Sequence, residues 1–119
     1  MFIKIHSIVL EAQLAAQAKS KIGNTLEDVD LAARNIIEKA GYGEYFTHRT
    51  GHGIGIDVHE GYSVNRGVHV PLQAGMVFSI EPGIYLPGKF GVRIENLVAV
   101  GENEPEVLHS FQRELMVIE

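Results

Sequence analysis

Apolar residues recur at three- and four-residue steps from the start of the chain. Ile5, Ile8, Val9, Ala12, Leu14, Ala15, Ala16 and Ala18 stand among Glu, Gln and Lys with no proline. That period predicts an amphipathic helix over 2 to 22, with Gly23 as its stop. Thr25-Leu26-Glu27-Asp28 then reads as a reciprocal cap, the Thr25 hydroxyl serving the new helix and Asp28 returning to the Thr25 N–H. Leu26, Val29, Ala33, Ile36 and Ala40 form a second apolar stripe, which ends at Gly41. From Tyr42 the period changes. Tyr45-Phe46-Thr47-His48 is expected to lead into the next segment as a strand, and 60 to 70 as a loop broken by Gly61, Asn65 and Gly67. Met76 to Ile80 is a strand candidate closed by Glu81-Pro82-Gly83, because proline removes a ladder donor. Ile84-Tyr85-Leu86 precedes the turn dipeptide Pro87-Gly88. A longer run follows from Phe90 to Val100, and Val107-Leu108 and Leu115 to Ile118 are further strand candidates. Two helices followed by an antiparallel sheet is an α+β arrangement, with the helices packed on the sheet.

Composition narrows the function classes. A chain of 119 residues fits one domain over 1–119 and buries roughly 65% of its unfolded surface, enough for a core. It has no cysteine, which favours an intracellular protein over a disulfide-stapled one. No stretch approaches the ~20 apolar residues of a membrane span, and Lys4, His6 and Glu11 interrupt anything like a signal peptide. A cytoplasmic location with no membrane partner is the expectation. The formal charge of −5, with basic residues scattered, argues against nucleic acid.

The chemistry is concentrated in His48-Arg49-Thr50-Gly51-His52-Gly53-Ile54-Gly55-Ile56-Asp57-Val58-His59-Glu60. Three of the six histidines lie there, interleaved with glycines at 51, 53 and 55. Each glycine would cost roughly 1 kcal/mol in a helix interior, so His48 and His52 are not a helical pair. In an extended chain His48, Thr50 and His52 point to one side, with glycines leaving room beside them. Imidazoles lining one cavity suit a metal site, proton transfer, or both. A phosphate-cradling loop fits poorly, since neither glycine fingerprint is matched and no Lys-Ser/Thr follows. An isolated histidine is more often a hydrogen-bonded core residue; three together favour a site.

Two carboxylates stand out in the sheet region. Glu81 closes the run Val77-Phe78-Ser79-Ile80, and Glu95 lies between Ile94 and Leu97. Taken alone, each could face water at a strand end or pair with Arg93. Beside a histidine face, a divalent cation shared by both is the simpler solution, because an unpaired carboxylate in an apolar setting costs many kcal/mol. Two carboxylates and an imidazole suit Mn, Co, Fe or Zn.

At these residues the chain resembles the C-terminal half of the catalytic domain of the pita-bread metallopeptidases, which include methionine aminopeptidase, aminopeptidase P, Xaa-Pro dipeptidase (prolidase) and creatinase. The resemblance is carried by residues 48 to 60, by Leu72-Gln73-Ala74-Gly75-Met76-Val77-Phe78-Ser79-Ile80-Glu81-Pro82-Gly83-Ile84-Tyr85, and by Gly91-Val92-Arg93-Ile94-Glu95-Asn96. The wording of the last two is more similar to the Xaa-Pro dipeptidase and aminopeptidase P branch. The resemblance implies half of a pita-bread fold and metal-dependent hydrolysis of Xaa-Pro peptide bonds with two divalent ions, Mn or Co first, Zn or Fe as alternatives. It implies His52, Glu81 and Glu95 as metal ligands, Glu81 also as acid/base and Glu95 as the bridge. His48 and His59 would line the substrate pocket, with Arg93 supporting the site.

The family's site takes two more aspartates from a hairpin upstream of the first helix, where this sequence starts; Asp28, Asp30 and Asp57 do not have that context. The 119 residues are therefore expected to be an incomplete catalytic domain of a longer parent, inactive alone. Gly61 also stands where the family tends to have proline. The alternatives are a half-domain that homodimerises, or associates through its exposed face, to rebuild a metal site, and a non-catalytic module that binds a proline-containing peptide.

Overall fold

The computed structural model describes residues 2–53 and 63–115, and in it the two helical periods become α1 (Phe2–Ala18) and α2 (Leu26–Lys39). Ile5, Val9, Ala12 and Ala16 of α1 and Leu26, Val29, Ala33 and Ile37 of α2 are fully buried. Each large aliphatic side chain removed from water contributes roughly 1.5–3 kcal/mol, so this shared seam holds the helices more than their intrinsic propensity does. The second stripe runs from Ala33 to Ile37 instead of Ile36, which is half-buried, and Ala40 is exposed.

α1 stops at Ala18, short of the expected 22. The Ser20 hydroxyl donates to the Ala16 carbonyl (3.0 Å), and the Lys19 and Ser20 amides tighten to three-residue bonds on Ala16 and Gln17. A serine competing with the helix ladder in this way ends regular structure. The chain then leaves sideways, Lys21 bridging to Gly101. The cap of α2 forms as read: Asp28 N donates to Thr25 Oγ1 (3.2 Å) and Thr25 N to Asp28 Oδ2 (2.8 Å). At the other end Gly41 N donates to Glu38 O (3.0 Å) and Tyr42 N to Ile37 O (3.0 Å), a Schellman closure that needs the φ of +94° at Gly41.

Tyr45 to His48 is not a strand. Gly43–Tyr45 forms a 3-10 turn, and extended pairing begins only at β1 (Gly51–His52). The reason lies on α2, where Arg34 donates to the carbonyls of Phe46 (3.4 Å) and His48 (3.1 Å), diverting them from a ladder. β1 pairs antiparallel with β2 (Ser63–Val64), inside the stretch read as a loop.

The main sheet is built on β5 (Phe90–Ala99). β6 (Glu106–Leu115) runs antiparallel along one edge, with a register shift between Leu97 and Val98. It is one strand where two short ones were expected, because continuous pairing overrides a patchy local pattern; residues 116–119 lie outside the described ones. The opposite edge of β5 carries β3 (Val77–Ile80) and β4 (Gly83–Leu86) in succession. Fully buried Phe78, Ile80, Ile84, Val92 and Val98 face the helices, and α1 packs across β5, β3 and β4. Arg93, Glu95 and Leu97 alternate with them on the part-exposed face. Among the described residues no helix is long and apolar enough to cross a membrane. The architecture is the α+β arrangement read from the pattern.

Replacing Gly41 with alanine puts a Cβ at a positive φ and is expected to destabilise the protein by about 1–2 kcal/mol. Urea unfolding should show a lower midpoint at an unchanged slope.

Candidate metal and catalytic centre

β3 and β4 hold one and the same register against β5, although Glu81 and Pro82 interrupt the pairing between them. Ile80 pairs with Asn96 on one side of the break and Gly83 with Arg93 on the other. Carried across the gap, the register sets Pro82 opposite Ile94 and Glu81 opposite Glu95. The Ile94 N–H bond to Pro82 O (3.3 Å) marks that continuity. Pro82 has no N–H to give, and the Glu81 amide donates sideways instead, to Thr50 O (2.6 Å). Like charges directly opposite in a sheet are unfavourable, so the fold sets two carboxylates where a cation is useful.

β1 brings His52 to the same place. Its amide donates to Ser79 Oγ (3.1 Å), and Gly53 bridges to Phe78. The approach requires Gly51, since any Cβ there would run into the Ser79 carbonyl oxygen. His52 Nδ1 stands 3.3 Å from the Gly53 carbonyl, which can only accept, so the ring proton belongs on Nδ1. The Nε2 lone pair is left facing Glu81 Oε2 at 3.5 Å. In that tautomer both atoms are acceptors, and a donor or a cation lying between them would satisfy both. Two ligands at about 2.1 Å from one ion stand roughly 3–3.4 Å apart, so the pair's chemistry and spacing fit a divalent metal. Among the described residues no three His, Asp or Glu side chains are gathered tightly enough to hold an ion. The structure thus brings His52 and Glu81 together, while Glu95 joins them by register and not by contact.

His48 reaches the site from the irregular segment before β1. Its Nδ1 lies 2.6 Å from the Arg49 carbonyl and its Nε2 lies 2.9 Å from the Tyr85 hydroxyl. The carbonyl fixes the proton on Nδ1, so Tyr85 donates to Nε2. Arg93 hydrogen-bonds to the same hydroxyl, and its buried Nε has no acceptor among the described residues. Gly83 makes room for this hydroxyl, because a Cβ there would lie 2.7 Å from it. Burial raises the Tyr85 phenol above its ordinary 10.0, an effect that Arg93 opposes and the charge of Glu81 reinforces. His59 lies outside the described residues.

The sequence reading did not single out Tyr85, or the layer beneath. Thr50, expected to share a face with the two histidines, is fully buried and donates from its hydroxyl to Asp30 Oδ1 (2.6 Å). Asp30 is itself fully buried and accepts both Arg34 Nε and Nη2 at 2.9 Å. The signal available was an aspartate four residues before an arginine on the apolar side of a helix, next to Val29.

Residues 2–102 match the sequence pattern of metallopeptidase family M24. The chain belongs to that family. It is 49% identical over 115 residues to an Xaa-Pro dipeptidase of Lactobacillus helveticus, covering 97% of this chain and 31% of that protein. Among solved structures, it is similar to a recombinant prolidase from Thermococcus sibiricus (53% identity, TM-score 0.85, 98% of this chain and 32% of that one). It is likewise similar to the prolidase from Pyrococcus furiosus (44% identity, TM-score 0.86, 93% and 33%). The chain spans about a third of the length of the relatives it matches. Its two helices and antiparallel sheets are those of the pita-bread fold of these M24 neighbours, and the family is one of metal-dependent peptidases.

Because the folded phenol of Tyr85 holds its proton more tightly than an unfolded one, the stability it contributes is complete below pH 10.0 and is lost as pH rises through the raised folded value. Tyr85→Phe should therefore remove part of the alkaline loss of stability and one tyrosinate transition displaced above the ordinary range. Unfolding at stepped alkaline pH alongside an absorbance titration checks both.

Proposed function

We propose that this chain, as the C-terminal half of a pita-bread catalytic domain, supplies the histidine- and glutamate-bearing wall of an active site that hydrolyses Xaa-Pro peptide bonds. The observation that carries the reading is the His52–Glu81 pair, with facing lone pairs 3.5 Å apart and Glu95 opposite Glu81 in the strand register. The Xaa-Pro dipeptidase and prolidase names of relatives at 44–53% identity support the substrate class. His52, Glu81 and Glu95 would hold divalent ions, Mn or Co, with the remaining ligands coming from aspartates of a preceding half. Bound there, the ions would supply Lewis acidity and a nucleophilic water at neutral pH.

The chain's own residues then have separable tasks. Glu81 takes the proton of the attacking water and returns it to the departing proline nitrogen. The backbone fixes it for this, because its amide is held by Thr50 and the next residue is a proline. His48, kept in one tautomer by the Arg49 carbonyl and Tyr85, lines the peptide pocket beside the scissile carbonyl. His59 is assigned to the same pocket by resemblance to the family alone. Arg93 orients the Tyr85 hydroxyl and acts through it.

In the enzyme assembled with the aspartate-bearing half, Glu81→Gln is expected to lower kcat on Xaa-Pro dipeptides with Mn(II) by about a hundred- to ten-thousand-fold. The 119 residues alone should show no turnover. Steady-state kinetics with Mn(II) or Co(II) decides both: an unimpaired Glu81→Gln enzyme would overturn the acid/base assignment, and turnover by the isolated chain would overturn its expected inactivity.

A further inference from the structure

The acid/base carboxylate is tied to a residue in the middle of the helical layer by two consecutive hydrogen bonds. Asp30 is fully buried on α2 and accepts from Arg34 twice and from Thr50 Oγ1 at 2.6 Å. Thr50, fully buried as well, accepts the Glu81 amide on its own carbonyl at 2.6 Å. Its own amide donates to Val64 O (3.0 Å), which closes the β1–β2 pair around it. The segment before Thr50 is tied to the same guanidinium. Arg34 bonds the carbonyls of Phe46 and His48 and lies 4.3 Å from the centre of the Phe46 ring, which in turn meets the His48 ring edge-on at 5.1 Å. Three side chains therefore control the position of three site residues without entering the site. Asp30 and Thr50 set Glu81, Arg34 sets His48, and Thr50 sets the start of the strand that carries His52.

We infer that Asp30, Arg34 and Thr50 form a positioning unit for the catalytic face, in which the Thr50 hydroxyl bond to Asp30 fixes the backbone acceptor that holds Glu81. The inference rests on the reading of Glu81 and His52 as site residues, but the physical link it asserts exists whatever the site does. The link is specific to a hydroxyl. Valine matches the shape of threonine and cannot donate, whereas serine keeps the donor and loses a methyl. A purely packing role would favour Thr50→Val over Thr50→Ser; a positioning role through the hydroxyl reverses that order. Removing a group that orients a metal-binding residue commonly alters affinity ten- to a hundredfold.

The test uses Thr50→Val and Thr50→Ser in the enzyme assembled with the aspartate-bearing half, with two readouts. The first is hydrogen exchange of the Glu81 amide, and the second is Mn(II) affinity by calorimetry. Thr50→Val is expected to speed exchange at Glu81 at least tenfold and weaken Mn(II) binding about tenfold or more. Thr50→Ser should stay within about threefold of the parent in both. Parent-like exchange in Thr50→Val, or equal losses in both variants, overturns the inference. If the parent enzyme binds neither Mn(II) nor Co(II), the reading of His52 and Glu81 as metal ligands fails, and the exchange comparison still decides whether Thr50 positions Glu81.

Discussion

Everything in the molecule is referred to β5 and its register. One edge of that strand is taken by β6, and the other is shared in succession by β3 and β4 at a single alignment. The alternation of its side chains then divides the protein into two halves with different work. Val92, Ile94 and Val98 turn towards α1 and build the core, while Arg93 and Glu95 turn to the opposite face. A slip of one residue would exchange these sets, burying a carboxylate and an arginine and exposing the aliphatics. With each aliphatic worth roughly 1.5–3 kcal/mol, the core fixes the register and the register fixes the site. The position of Glu95 opposite Glu81 is thus a by-product of hydrophobic packing on the far side of the sheet.

The second constraint is electrostatic and sits in the helical layer. A fully buried aspartate is tolerable only if its charge is met, and Asp30 has two guanidinium contacts and a hydroxyl. Removing either charged partner from such a pair typically costs about 3–5 kcal/mol, whereas replacing both by apolar groups can be neutral. Its retention in an otherwise apolar seam is therefore poorly explained by stability. It is well explained by the segment from Phe46 to Thr50, which has no strand pairing of its own before Thr50 and takes its path from Arg34 and Asp30.

How much of this could be read from the letters depends on the range of the interaction. The Thr25–Asp28 cap and the stop at Gly41 are decided within a few residues, and both form as read. The strand ended by Pro82 was legible for the same reason, as were Glu81 and Glu95 as carboxylates out of keeping with their surroundings. Apart from the end of α1, which Ser20 sets locally, the misreadings are long-range. Tyr45 to His48 has strand-like composition, but Arg34 from another element takes its carbonyls. β6 has a discontinuous pattern and is unified by its continuous pairing with Gly91 to Ala99 of β5. Thr50 alternates with His48 and His52 in sequence yet turns into the core, because Asp30 waits there. Tyr85 carried no local sign of a role; only coordinates bring its hydroxyl between His48 and Arg93.

The remaining question is why a sheet suits such a site at all. Adjacent strands lie about 4.8 Å apart, and cross-strand side chains on one face start from Cβ atoms roughly 4.5–5.5 Å apart. Donor atoms on adjoining strands can therefore lean together onto a common ion with little distortion, whereas neighbours along one strand point to opposite faces. The proposed ligands come from three such segments: His52 from β1, which meets β3 at the Gly53–Phe78 bridge, Glu81 from the β3–β4 break and Glu95 from β5. Left without a cation, that row opposes two carboxylates and turns an imidazole lone pair onto one of them, a local conflict that no stable core would select for its own sake. The hydrophobic layer on the far face supplies the free energy that keeps the conflict in place, which is the physical sense in which the fold prepares the site.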